Sequence, residues 1–223
     1  MTALPQLEPT PGTALAQFPP RPAAAHDLTQ VVRTRRSVRR FRDAPVPPPV
    51  VEQILELAGW APSGYNRQPW RFEVAVGRPR NRAAAALAGC AGGWLEGIRA
   101  RCPGKAAARM ERFFRDAGGA PVIVFVYSHG NAETGSLTGI DPDYPSTCAA
   151  VQNLLLAAHA RGLGACWVQA FCAVQEEIDR ILGVDGGVLV GGIPLGFPDE
   201  APPAPPRRAP RVTWHGLPDA AEE

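Results

Sequence analysis

At 223 residues the chain can bury one substantial core, and its hydrophobic fraction of 45% is ordinary for a folded domain. A formal net charge of +2 argues against a dedicated nucleic-acid binder. No apolar stretch has the length of a membrane span, and no charged segment leads into an apolar run at the N-terminus, so a cytoplasmic protein without membrane or nucleic-acid partners is expected.

Residues 1–25 are rich in proline, alanine and threonine and poor in aromatics. Such a segment cannot bury enough apolar surface to offset its ordering entropy, and a flexible tail is expected. Asp27 then caps a short predicted helix to Arg33, with Leu28, Val31 and Val32 on one side. A dense basic cluster follows: Arg33, Arg35, Arg36, Arg39, Arg40 and Arg42. The guanidinium fork suits phosphate, and the Ser37 hydroxyl can donate to a phosphate oxygen. The alternative is a solvated basic face. Prolines at 47–49 open the next helix, in which Val50, Val51, Ile54, Leu55 and Ala58 recur at helical spacing opposite Glu52, Gln53 and Glu56.

That helix delivers the chain to a loop over residues 61–70 that carries two amides, Asn66 and Gln68. An amide presents donor and acceptor side by side, as the edge of a heterocycle requires, although the same residues are common in ordinary turns. A phosphate-suited stretch and a ring-suited stretch together suggest a phosphorylated heterocyclic cofactor. Trp70–Val76 reads as the first strand. Residues 79–118 read as helices with breaks, in which the 94–98 segment serves either core packing or a pocket or subunit contact. Pro121–Tyr127 is continuously apolar, as expected of a strand buried on both faces.

A long loop is predicted over Ser128–Pro145, where His129 and Tyr144 are candidates for substrate contact or plain packing. Ser146–Arg161 is a helix apolar nearly all round, ended by Gly162, and it is expected to be buried, with partners for Gln152 and Asn153. Gly164–Phe171 is strand-like, Ala173–Gly183 a short helix and Val188–Gly196 the last strand. A proline linker over 199–206 leads to Arg207-Arg208-Ala209-Pro210-Arg211. The five cysteines, Cys90, Cys102, Cys148, Cys166 and Cys172, include no Cys-x-x-Cys pair, so buried free thiols are expected and no metal site.

Arg-Arg-Ser-Val-Arg-Arg-Phe at 35–41, followed by Ala-Pro-Ser-Gly-Tyr-Asn-Arg-Gln-Pro-Trp-Arg-Phe at 61–72, resembles the opening signature of the nitroreductase family of flavin oxidoreductases. Ile193–Pro198 resembles that family's last-strand signature, and the resemblance covers roughly residues 28–215. It implies an α+β three-layer sandwich, a mainly antiparallel central sheet flanked by helices, in an intertwined homodimer. Residues 26–198 would form the FMN-binding domain, and 199–223 an extension of it or an arm around the partner.

The resemblance also implies one FMN per subunit at the dimer interface. Arg35, Ser37 and Arg208 would hold the phosphate, with Arg36 beside them, and Arg39 would sit near the N1–O2 edge of the ring. Pro62, Ser63, Asn66 and Gln68 would come from the partner subunit. The run holding Trp167, Gln169 and Ala170 would pass over the ring, where many members carry proline, glutamate and glycine. NADH or NADPH would reduce the flavin, and a small acceptor (nitroaromatic, quinone, enone or another flavin) would reoxidise it at the same site. No Gly-x-Gly-x-x-G follows a strand, so no separate nicotinamide fold is expected. The alternatives are a flavin-fragmenting or reductive-dehalogenating relative, or a flavin-binding protein without turnover.

Overall fold

A computed structural model describes residues 28–101, 104–130 and 141–215. The expected tail over 1–25, the cap Asp27, Cys102, the centre of the 128–145 loop and the end of the 199–223 extension lie outside the described residues.

The chain is built on a four-stranded sheet in the order β1-β2-β4-β3, made of β1 (Trp70–Val76), β2 (Val122–Ser128), β3 (Gly164–Ala165) and β4 (Val188–Gly196). All of its pairings are antiparallel. Every residue of β2 is buried. Successive side chains of a strand point to opposite faces, so Ile123, Phe125 and Tyr127 enter one core while Val122, Val124 and Val126 enter another. The first core lies beneath α3 (Gly77–Cys90), α5 (Lys105–Asp116) and α7 (Gln175–Leu182). The second lies beneath α2 (Pro48–Ala58) and α6 (Asp143–Ala160). The short α1 (Leu28–Thr34) packs on α6, and α4 (Gly92–Arg101) packs on α3 and α5. This is the three-layer α+β architecture that the resemblance implied.

Helix α6 begins at Asp143, earlier than the expected Ser146, because Pro145 falls in the first turn, where its missing N–H leaves no bond unmade. Asp143 also places a carboxylate at the positive end of the helix dipole. The C-terminus closes as expected on Gly162 at φ +76°. Its N–H donates to the His159 carbonyl at 2.9 Å, and that of Leu163 to Ala158 at 3.0 Å. Burial is one-sided rather than complete: Ala150, Val151, Leu154, Leu155, Ala157 and Ala158 are buried, but Gln152 is exposed. The expected buried side of α1 is also reduced to Val31, since Leu28 and Val32 are 69% and 51% exposed.

The strand-like run expected over 164–171 holds as far as Val168 and then ends. Gly164–Ala165 forms β3, the Cys166 N–H still donates to the Pro194 carbonyl at 3.3 Å, Val168 and Gly192 exchange bonds at 2.9 and 3.1 Å, and Gln169–Val174 is a 3-10 helix. The cause is Phe171, which is fully buried edge-on to Phe125, with ring centroids 5.1 Å apart. It occupies space that exists only because residue 192 is glycine: a Cβ there would stand 2.4 Å from its ring. Gln175 then ties α7 to the sheet, accepting from the Leu189 N–H at 2.9 Å and donating to the Gly187 carbonyl at 3.0 Å. The Tyr127 hydroxyl donates to Asp179 at 2.6 Å. Burial, and then that bond, push the Tyr127 phenol well above its ordinary range.

Gly192→Ala should therefore displace Phe171 and cost about 1–3 kcal/mol, the usual effect of overpacking a core. Thermal unfolding of the variant against the parent chain checks this. An unchanged midpoint would show that Phe171 has room to move.

Candidate functional site

The Arg35–Arg42 stretch leaves α1 and crosses one end of the sheet as an extended segment. Ser37 bridges Ala165 in parallel, and the Val38 N–H donates to the Ala165 carbonyl at 3.1 Å. Further on, the Phe41 N–H donates to Gly118 at 3.1 Å and that of Arg42 to Phe197 at 2.9 Å. Val38 and Phe41 are buried with Ala120, which turns neighbouring polar side chains away from the core. Two glycines make the approach possible. A Cβ on Gly164 would meet Val38 at 2.8 Å, and one on Gly118 would stand 2.3 Å from the Arg39 carbonyl oxygen.

The arginines of the cluster do different jobs. Arg36 folds back and donates from Nη1 to the carbonyls of Arg33 at 2.8 Å and Arg35 at 2.7 Å, closing the end of α1. Arg40 pairs with the Asp199 carboxylate at 2.9 Å, and Arg42 donates to the Pro198 carbonyl at 3.1 Å. Arg35 and Arg39 turn instead toward Cys166. The Ser37 side chain lies beside the Cys166 thiol, whose pKa is raised by burial and drawn partly back by Arg39, Ser37 and Arg35. Arg39 donates from Nη1 to the Ser37 carbonyl at 3.4 Å, while its Nε is buried with no hydrogen-bond partner. Desolvation chiefly lowers the Arg35 guanidinium, Cys166 opposes this, and Arg207 and Arg36 lower it further. Arg207 and Arg208 are both exposed on the arm, and the charge of Arg207 is among those that reach Arg35.

Thr34 donates its one hydroxyl proton to the Gln30 carbonyl at 2.7 Å, so the 2.8 Å contact with His159 is a bond from the imidazole Nε2–H. Burial, then Arg35 and Arg36, hold His159 below its usual range. A cavity of about 470 Å³ opens here, lined by Thr34, Arg36, Val38, His159, Gly164 and Glu200 among others.

The amide loop is a separate construction. Ser63 Oγ accepts the Gln68 N–H at 3.0 Å, and the Gln68 amide donates to Asn66 Oδ1 at 3.3 Å. Tyr65, Asn66 and Gln68 have φ of 53°, 55° and 49°. Asparagine tolerates the left-handed region, but tyrosine and glutamine each cost roughly 1–2 kcal/mol there. The strain displays polar groups outward: Pro62, Asn66 and Gln68 are exposed, and Tyr65 is 95% exposed. The loop is anchored by an ion pair from Arg67 to Asp143, which is 2% exposed, and by a bond from the His129 N–H to Pro69 at 2.8 Å.

These anchors measure how far apart the two halves lie. The arginine cluster meets α6 through His159, and the loop meets it through Asp143, which at 1.5 Å per residue is a separation of about 24 Å. Along the sheet, Trp70 pairs Ser128 at the loop end, whereas Leu195 pairs Val122 and Ala165 at the cluster end, again about 20 Å away. One chain does not bring the two predicted half-sites together.

The third predicted group follows β3. Trp167 donates from Nε1 to the Val190 carbonyl at 3.0 Å and lies against Gly191, so its indole is engaged with β4. Gln169 is exposed at the head of the 3-10 turn, near the Tyr144 hydroxyl, and Ala170 is partly buried beside the α3 core. Cys166 and Glu200 are the residues beside the arginine cluster that sequence reasoning missed. Five cysteines look alike in a sequence, and only the turn after β4 brings Glu200 back beside Arg39. Cys90, Cys148, Cys166 and Cys172 are free thiols, and among the described residues no cluster could hold a metal ion.

Comparison with known proteins bears on the same segments. The chain is 32% identical to a Methanothermobacter thermautotrophicus protein named for NADH dehydrogenase and NAD(P)H nitroreductase activity, over 79% of this chain and 80% of that one. It is 28% identical to a 4-nitrobenzoate reductase of Pseudomonas putida, over 86% and 94% of the two chains. Among solved structures, an FMN complex from Desulfovibrio desulfuricans matches at 29% identity with a TM-score of 0.62, covering 85% of this chain and 97% of that one. Residues 32–197, from the end of α1 through β4, match the family model described as the nitroreductase family, and the chain belongs to that family.

Proposed function

We propose that the chain is an FMN-dependent oxidoreductase that passes hydride from NADH or NADPH to a small acceptor, with two copies completing each site. The observation that carries this is Arg39 Nε, a cationic donor buried without a partner. Leaving such a donor unmatched is costly, and an acceptor on a bound ring removes the cost. The neighbouring donors suit the rest of the cofactor: Arg35 and Ser37 the phosphate, joined by Arg207 or Arg208 from the arm. Pro62, Ser63, Asn66 and Gln68 of a second copy would contact the ribityl chain and ring, beside the Trp167–Ala170 turn.

FMN, when bound, supplies the hydride acceptor and donor, and the protein supplies position and electrostatics. Arg39 holds a fixed positive charge where reduction adds negative charge, in a poorly hydrated setting that strengthens the attraction. The chemistry demands no general acid or base from the chain. Exposed apolar side chains support a homodimer: Leu28 and Val32 on α1, Leu57 and Trp60 on or just beyond α2, Tyr65 in the loop, and Val212 and Trp214 on the arm. The names of the relatives support NADH or NADPH as donor and a nitroaromatic as one acceptor class; quinones, enones and flavins belong to the same proposal. No helix among the described residues is long and apolar enough to cross a membrane, and a cytoplasmic location belongs to this reading.

The flavin-loaded protein should lose its visible absorbance when NADPH or NADH is added without oxygen and regain it on addition of 4-nitrobenzoate. A flavin that stays oxidised with both donors would refute the reductase reading. Arg35→Ala should weaken FMN binding by about 1.5–3 kcal/mol, the value of one charge-assisted hydrogen bond. Equilibrium binding by flavin fluorescence checks it, and unchanged affinity would remove Arg35 from the phosphate site.

A further inference from the structure

The segment 197–200 is the last stretch before the arm, residues 201–215, runs out over the surface, almost wholly exposed. It is laced to the signature segment residue by residue. The Arg42 N–H donates to Phe197, Phe41 bridges Pro198, and the Asp199 N–H donates to the Arg40 carbonyl at 2.9 Å. The last rung differs, because a side chain makes it. Glu200 Oε1 accepts the Arg39 N–H at 2.6 Å. The peptide around Arg39 is thereby held from two sides, with its carbonyl pressed over Gly118 and its amide bound by Glu200.

The position of this carboxylate is unexpected. It lies among the cations proposed to hold a phosphate, close enough to Cys166 to oppose the pull of Arg39 and Arg35 on the thiol. A carboxylate beside a phosphate weakens binding by like-charge repulsion. We propose that Glu200 is a positioning residue of the phosphate site, and that what it gains in geometry exceeds what it loses in repulsion. It fixes the Ser37–Arg39 peptides against β3. It also fixes the root of the arm that bears Arg207 and Arg208. This rests on the reading of Arg35 and Ser37, with Arg207 or Arg208, as phosphate ligands.

The test compares dissociation constants of the full chain and its Glu200→Ala and Glu200→Gln variants for FMN and for riboflavin, which lacks the phosphate. Glutamine keeps the acceptor oxygen and removes the charge. Glu200→Ala should lose about tenfold in FMN affinity, the scale of one charge-assisted bond, with riboflavin affinity, which senses Arg39 at the ring but not Arg35 and Ser37 at the phosphate, lowered by a smaller factor. Glu200→Gln should bind FMN at least as tightly as the parent. Three results would overturn the proposal: FMN binding by Glu200→Ala as tight as the parent's, equal weakening by alanine and glutamine, or equal weakening toward FMN and riboflavin. A parent chain that binds the two flavins equally would instead refute the phosphate reading, and Glu200's role with it.

Discussion

Burial of β2 on both faces is the constraint from which the rest follows. A strand whose residues are all buried needs helices above and below it. The α2–α6 layer and the α3–α5–α7 layer meet that need. With both faces covered, polar residues can gather only at the ends of the strands, and the chain uses both ends. The arginine segment crosses the end marked by Ala165 and Gly118, and the amide loop precedes Trp70 at the other. Helix α6 spans the distance between them, with Asp143 paired to the loop and His159 to the last residue of α1.

At the cluster end, part of the arginine set holds structure. Arg36 closes a helix, and Arg40 and Arg42 hold the segment 197–200. Arg35 and Arg39 are left near Cys166, Arg35 partly desolvated and Arg39 with its Nε buried. Taking cationic groups out of water is unfavourable, and the unmatched Arg39 Nε shows where an acceptor is wanted. The amide loop stores its own cost as left-handed tyrosine and glutamine backbones. Strain of this kind persists where surrounding contacts over-determine it, here the Arg67–Asp143 pair and the Ser63–Gln68 bond.

Much of this was legible in the sequence, for identifiable reasons. Strands β1, β2 and β4 and helix α2 follow from local periodicity, and the two signature stretches follow from dense, unusual composition. What stayed hidden depends on contacts between distant residues. The turn at 169–174 exists because Phe171 fills the space over Gly192, which nothing within Gly164–Phe171 announces. The exposure of Leu28 and Val32 breaks an apolar pattern that reads as core. The Arg-Arg pair at 207–208 gives no local sign that the charge of Arg207 reaches Arg35. Glu200 sits in a proline-rich run that reads as a linker, and its bond to Arg39 joins residues 161 positions apart.

The central claim is that half-sites at opposite ends of one sheet are completed by a second chain, and subunit mixing tests it most directly. One chain would carry Arg35→Ala with Ser37→Ala, the other Asn66→Ala with Gln68→Ala, each with its own affinity tag. Each variant alone should retain little FMN. Co-expressed and purified through both tags, the mixed dimer holds one site built from two unaltered halves and one built from two altered halves. The account predicts flavin occupancy near half that of the parent protein. A mixed assembly as empty as either variant alone would show that each site is built within a single chain, and would contradict it.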